Sequence, residues 1–194
     1  MFFFGLAFFI VFGFIFPPSP SKKASSFSSV SSSKKSLKEI DFSSGEIESH
    51  ITQSYGYTGF AAAHRGLKEN RHNGIDIAAS YGALIRSQSD GEVFYVGDQD
   101  KYCPNKAYGK FVVVKNKSGG AALLYSHLSK IKVEVGEEIK KGDSLGLVGE
   151  TGLATGPHLH FSVFKNNSIK IVNDESCGPK PEGIDTDPTK YLGF

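Results

Sequence analysis

An all-β domain, built mainly from antiparallel sheets, is predicted by three observations. Across residues 133–149, Gly136-Glu137 and Gly142-Asp143 punctuate short apolar runs that carry Val133, Val135, Ile139, Leu145, Leu147 and Val148. Such spacing reads as short strands joined by tight turns. A similar turn, Asp90-Gly91, precedes the strand-like Glu92-Val93-Phe94-Tyr95-Val96. No run in this region shows the 3.6-residue repeat of an amphipathic helix.

Two further strands carry the chemistry. In His72-Asn73-Gly74-Ile75-Asp76, a helix would place His72 and Asp76 one turn apart, but Gly74 and the turn-former Asn73 disfavour a helix interior. An extended reading puts His72, Gly74 and Asp76 on one face and Ile75 and Ile77 on the other, with no Gly74 side chain standing between the two polar groups. The same period-two rule puts His158 and His160 of Gly156-Pro157-His158-Leu159-His160-Phe161 on one face, with Leu159 and Phe161 on the apolar side. A fifth polar group, His127, ends the apolar run that starts at Ala121, where alternation is imperfect. Neutral imidazole serves either as a metal ligand or as a base near neutral pH. Imidazole with carboxylate is the ligand set of a catalytic zinc site, which takes three protein ligands and keeps one position for water. His50 and His64 read as structural or surface residues, Tyr125 as core, and Asp174 and Glu175 as loop acids.

In order, the motifs His-x-Gly-x-Asp, Ser-His-Leu and His-Leu-His resemble those of the M23 zinc endopeptidases, the LytM and lysostaphin-type peptidoglycan hydrolases. The resemblance covers residues 46 to 194 and implies a LytM-type β domain of the duplicated-hybrid-motif kind. It implies that His72, Asp76 and His160 bind zinc, while His127 and His158 act on the substrate and its transition state. Spacing alone does not separate ligand His160 from catalytic His158. The turn-rich stretch 133–149 also resembles the hairpins of biotinyl and lipoyl carrier domains, but the modifiable Lys of those hairpins has no clear counterpart.

The implied reaction is hydrolysis of a peptide bond in the stem peptides or cross-bridges of peptidoglycan, by water activated at zinc. The motif lacks the adjacent Glu of helical zinc proteases, so the base or oxyanion donor falls to His127 and His158, in an order the sequence leaves open. Residues 60–71, with Arg65 and Arg71, and the loop 98–108, with Lys101 and Lys106, are expected to wall the groove and to meet stem-peptide carboxylates. The rival reading is a non-enzymatic regulator that binds a cell-wall amidase or glycan. Such degenerate relatives usually lack metal ligands, whereas all five site residues are present here.

The rest of the chain bounds its setting. A net charge of +2 with no basic stripe argues against a nucleic-acid partner. Residues 1–16 are apolar and uncharged, and as a helix would span about 24 Å against a hydrocarbon core of ~30 Å. They read as a signal or membrane anchor, although they show no basic n-region or Ala-x-Ala site, so either the true start lies further upstream or the segment is an uncleaved anchor. Lys22 and Lys23 just after it would by the positive-inside tendency hold the domain in the cytoplasm; a wall substrate overrules this and favours an extracytoplasmic, membrane-anchored or secreted enzyme. Residues 17–45 follow as a tether, since residues 17–44 hold twelve Ser, three Pro and five Lys and are too polar to offset chain entropy. The domain itself is expected over 46–194, with Ile51–Tyr57 as its first strand. In an exported domain the even cysteine count favours a Cys103–Cys177 disulfide; zinc binding by these cysteines or two unpaired thiols are the alternatives.

Overall fold

In a computed structural model, residues 36, 38–42, 47–59, 63 and 71–192 are described. The N-terminal anchor, most of the tether and nearly all of the 60–71 insert lie outside them. The chain runs β1 (Glu39–Ile40), α1 (Ile47–His50), β2 (Ile51–Gln53), β3 (Gly56–Tyr57), β4 (Arg71–His72), β5 (Ile75–Ala78), β6 (Leu84–Arg86) and β7 (Gly91–Asp98). It continues through β8 (Lys110–Lys115), β9 (Ala121–Ser126), β10 (Leu128–Ile131), β11 (Glu138–Ile139), β12 (Ser144–Val148) and β13 (His158–Lys165). It ends with β14 (Lys170–Asp174), β15 (Gly178–Glu182) and β16 (Asp185–Thr186), and 3-10 turns occupy Gln99–Lys101 and Pro188–Tyr191.

The expected all-β architecture holds. A long sheet runs β11-β7-β8-β9-β13-β5-β2, with β16 also on β13, and a second sheet runs β1-β6-β12-β10. Every pair is antiparallel except β1 with β6. The Gly-acid turns of 133–149 do not fold β11 and β12 into one hairpin: β11 pairs with β7, whereas β12 pairs with β6 and β10. The turn residues were legible, but the choice of partner is non-local.

The core lies between the sheets. Leu123 and Tyr125 of β9, Leu159, Phe161 and Val163 of β13 and Ile75 and Ile77 of β5 meet Ile85, Leu128, Leu145 and Val148 of the smaller sheet. The alternate residues of β8, β9 and β13, namely Phe111, Val113, Ala122, Leu124 and Phe164, pack with Ile169 in a second cluster on the opposite face. All six residues of β9 are therefore buried, which explains its blurred alternation: a strand covered on both faces needs none. Tyr125 is core, its hydroxyl accepting from Gln88 N at 2.9 Å. Burial pushes that hydroxyl's pKa up to about 12.

Packing starts before Glu46, inside the stretch read as tether. Glu39 and Ile40 pair with Leu84 and Ile85, Glu39 forms an ion pair with Arg86, and Ile40 and Phe42 are core residues. The Phe42 ring lies 4.6 Å from that of Phe161 and 6.2 Å from that of Tyr125. The expected first strand 51–57 is broken into β2 and β3, which pair with different partners. Two apolar residues among serines and lysines carry no periodic signal, and so the edge strand is invisible to pattern reading.

Cys103 and Cys177 form a disulfide, as the even count favoured. It ties the turn after Gln99–Lys101 to the turn between β14 and β15, where Asp174 accepts hydrogen bonds from Ser176 N and Cys177 N. Phe42→Ala should lower unfolding stability by about 3–5 kcal/mol, the cost of emptying a buried aromatic site. Urea unfolding of the purified protein measures it, and a loss below 1 kcal/mol would mean that residues 39–42 do not hold the core.

Candidate metal centre

β13 is the central strand, and its register builds the site. His160 stands opposite Asp76 of β5 on one side and Ser126 of β9 on the other. Cross-strand neighbours have Cβ atoms about 5 Å apart, close enough for one side chain from each to reach a common point. His72 does not come from the same strand as Asp76: β4 ends at His72, a bend at Asn73-Gly74 follows, and β5 begins at Ile75. The predicted convergence stands, but Gly74 serves it differently. A Cβ there would lie 2.4 Å from Phe161 O, 2.6 Å from Ser162 Oγ and 2.8 Å from the His160 ring. Gly74 lets the bend press against β13.

Three ligand atoms then face one another. His160 Nδ1 is 2.9 Å from Asp76 Oδ1 and 3.0 Å from His72 Nε2, and His72 Nε2 is 3.1 Å from Asp76 Oδ1. These separations approach the roughly 3.3 Å edge of a tetrahedron with ~2.0–2.1 Å bonds. The outward nitrogens set the tautomers. His72 Nδ1 donates to Ser54 O at 2.9 Å, because a carbonyl can only accept. His160 Nε2 lies 2.8 Å from Ser162 Oγ, which can accept its N–H. With both outward nitrogens donating, two imidazole lone pairs and one carboxylate oxygen are aimed at each other in a buried pocket, an arrangement that a cation relieves. His72 and His160 are almost wholly buried and Asp76 nearly so. Without a cation, burial tends to raise the Asp76 pKa, but protons carried on the facing nitrogens of His160 and His72 donate to the carboxylate, and these hydrogen bonds and charges outweigh burial and hold the carboxyl below the usual range; a bound cation would take the place of those protons. Among the described residues, His72, Asp76 and His160 form a possible three-ligand metal site.

His127 and His158 stand beside this centre, their ring centres 4.6 Å apart, and His127 lies 5.8 Å from His160. His158 Nε2 is 3.9 Å from Asp76 Oδ1. Both donate Nδ1–H to backbone carbonyls, His158 to Gly156 at 2.8 Å and His127 to Thr151 at 2.7 Å, which leaves each Nε2 as an acceptor. His127 occupies a left-handed conformation, φ 62°, between β9 and β10. Burial first, then the charges of His158 and His160, lower its pKa to about 3.

The cleft in front of Asp76, His127, His158 and His160, about 340 Å³, is completed by Thr52, Gln53, Ala78, Leu153 and residues 155–157. This corrects one expectation, since the loop 98–108 does not line this cleft. Lys101 opens on a separate hollow with Val96, Lys110 and Ile131, and the loop buttresses residues 151–153 from behind. Thr151, Ser54, Gly156 and Ser162 were missed. Ser162 follows His160 by two and was findable by strand period, whereas carbonyl partners leave no trace in residue type.

Fold and site together define a β-sandwich with a His-Asp-His centre open to a cleft. Residues 70–172, more than half of the chain, match Peptidase family M23, and the chain belongs to that family. It is 32% identical over 129 residues to glycyl-glycine endopeptidase ALE-1 of Staphylococcus capitis, covering 66% of this chain and 33% of that protein. It is 31% identical over 146 residues to DD-carboxypeptidase/endopeptidase Mpg of Neisseria meningitidis, covering 75% and 31%. The chain thus spans about a third of the length of these relatives. The catalytic domain of lysostaphin from Staphylococcus simulans superposes with a TM-score of 0.57 at 26% identity, covering 76% of this chain and 96% of that one. A zinc-containing peptidase from Vibrio cholerae gives 0.51 at 30%, covering 68% and 35%.

Two outcomes are expected. His72→Ala, Asp76→Ala and His160→Ala should each abolish the bound metal measured by elemental analysis, while His127→Ala and His158→Ala retain most of it; full occupancy in Asp76→Ala would remove Asp76 from the ligand set. The second concerns acid. His127 stays neutral in the fold down to about pH 3 but takes a proton near pH 6.5 when unfolded. Its contribution is complete above pH 6.5 and is lost as pH falls from there toward 3, because the unfolded chain binds the extra proton. Melting temperatures of the metal-free protein should fall across this window, with a shallower slope in His127→Asn; equal slopes would contradict the assignment.

Proposed function

We propose that the chain is a zinc-dependent endopeptidase that cleaves peptide bonds in peptidoglycan stem peptides or cross-bridges. The observation that carries this reading is the set of two imidazole lone pairs and one carboxylate oxygen, mutually 2.9–3.1 Å apart, at the edge of an open cleft. His72, Asp76 and His160 would hold the metal, which when bound supplies a Lewis acid that lowers the pKa of water toward ~7 and polarises a carbonyl. The names of relatives support the substrate class: ALE-1 is called a glycyl-glycine endopeptidase, and ShyB of Vibrio cholerae, 40% identical over 96 residues, a peptidoglycan DD-endopeptidase.

The residues around the centre have distinct tasks. His158 and His127 present Nε2 lone pairs to the cleft, so each can accept a proton from an attacking water. Once protonated, that nitrogen becomes a donor to the developing oxyanion or to the leaving amine. Their Nδ1–H bonds to Gly156 and Thr151 hold the rings and fix which nitrogen faces the substrate. Thr52, Gln53, Leu153 and residues 155–157 would seat the peptide.

The Cys103–Cys177 bridge supports an oxidising, extracytoplasmic setting, and residues 1–16 would anchor or export the domain. Incubating the protein with purified peptidoglycan, with and without a chelator, and reading fragments by mass spectrometry tests the activity. Hydrolysis should be chelator-sensitive and fall ~100-fold or more in His127→Ala and His158→Ala. Undiminished turnover after chelation, or no fragments from glycine-bridged and D-Ala cross-linked walls alike, would refute the reading.

A further inference from the structure

His127 depends on a carbonyl, and that carbonyl belongs to a peptide unit whose other end is also held. The Thr151–Gly152 peptide presents its C=O to His127 Nδ1 at 2.7 Å. Its N–H, on Gly152, points to the Asp100 carboxylate, 3.1 Å from Oδ1 and 3.2 Å from Oδ2. A trans peptide is planar, with C=O and N–H on opposite sides, so carboxylate, peptide and imidazole form one continuous hydrogen-bonded series.

We propose that Asp100 is a positioning residue for His127, acting through the single peptide plane Thr151–Gly152; the idea rests on the catalytic role given to His127 above. Pulling on the N–H end fixes the rotation of the plane and so the direction of the carbonyl. A charged acceptor on the N–H also polarises the amide and strengthens the carbonyl as an acceptor. Both effects favour His127 with its proton on Nδ1 and its lone pair on Nε2, facing the cleft. The arrangement resembles the carboxylate that orients a catalytic imidazole directly, with a peptide group inserted between them.

The surroundings leave this plane little other freedom. Thr151 Oγ1 donates to Leu128 O at 2.9 Å and accepts from Lys110 N at 3.0 Å. Leu153 N donates to Ala107 O at 2.9 Å. Gly152 has φ 71°, and a Cβ there would lie 2.3 Å from Gly109 N; a Cβ on Gly109 would lie 2.4 Å from the Thr151 carbonyl carbon. The two loops therefore touch backbone to backbone. The loop that carries Asp100 is itself fixed: Gln99 N donates to Gly109 O at 2.9 Å, Asp100 Oδ1 accepts from Asn105 N at 3.3 Å, and Cys103 is bridged to Cys177.

The test reads the tautomer and does not need turnover. Full-length protein, metal-loaded and labelled with 15N in histidine, would be compared with Asp100→Ala and Asp100→Asn by long-range proton–nitrogen spectra, with His127→Asn assigning the His127 signals. Native protein should show His127 protonated on Nδ1. Asp100→Ala should shift both ring nitrogens toward averaged values, while Asp100→Asn, which keeps an oxygen acceptor without the charge, should lie between. On peptidoglycan peptides, kcat should fall about 10–100-fold in Asp100→Ala at unchanged KM and metal content, the scale for losing a group that orients an active imidazole. Identical His127 nitrogen shifts in native and Asp100→Ala protein overturn the proposal. If Asp100→Ala does not fold, Asp100→Asn decides: a weakened Nδ1–H signature supports the proposal and an unaltered one overturns it. Native protein that cleaves nothing refutes the proposed function, while the nitrogen shifts still decide the role of Asp100.

Discussion

The whole arrangement depends on one close approach, that of the Asn73-Gly74 bend to β13. Where any other residue would place a carbon within 2.4 Å of Phe161 O, Gly74 leaves room, and the ends of β4 and β5 can both turn toward His160. The core makes this approach reproducible. Ile75, Ile77, Leu159 and Phe161 are fully buried on the inner face, so a one-residue slip of either strand would drive histidines into the sandwich and isoleucines into the cleft. Apolar burial on one side of the sheet thus sets ligand geometry on the other.

Orientation is then supplied largely by main-chain atoms. Three of the four site histidines donate Nδ1–H to carbonyls, of Ser54, Thr151 and Gly156, and the fourth is held by Ser162 through Nε2. Carbonyls belonging to packed strands and turns have little freedom of their own, so each ring loses its rotational choice when the fold forms rather than when substrate arrives. Four imidazoles are thereby held close together at one site.

Much of this was legible because it follows from residue type and short spacing. The period-two reading assigned His158 and His160 to one face of a strand and Leu159 and Phe161 to the other, and the five polar residues do converge. What escaped was non-local or encoded in backbone. The sequence of Ile40 and Phe42 looks like more tether, and only their partners across the sandwich make them core. Nothing in His127 announces a left-handed residue between two strands. The loop 98–108 carries charges that suggested a wall, yet its Asp100 turns inward to a peptide N–H and its Lys101 faces another hollow.

The disulfide has a topological consequence. Residues 103 and 177 close a covalent ring that contains His127, His158 and His160, along with β8 to β14, whereas His72 and Asp76 lie on the chain outside it. The exposed Ser118-Gly119-Gly120 turn between β8 and β9 lies within that ring, at the kind of loop tip where proteases cut first. A single cut there opens the ring but leaves every segment covalently joined, with β8 and β9 still in register at their paired residues. This architecture tolerates a nick that in an unbridged chain would separate the first motif from the second and third.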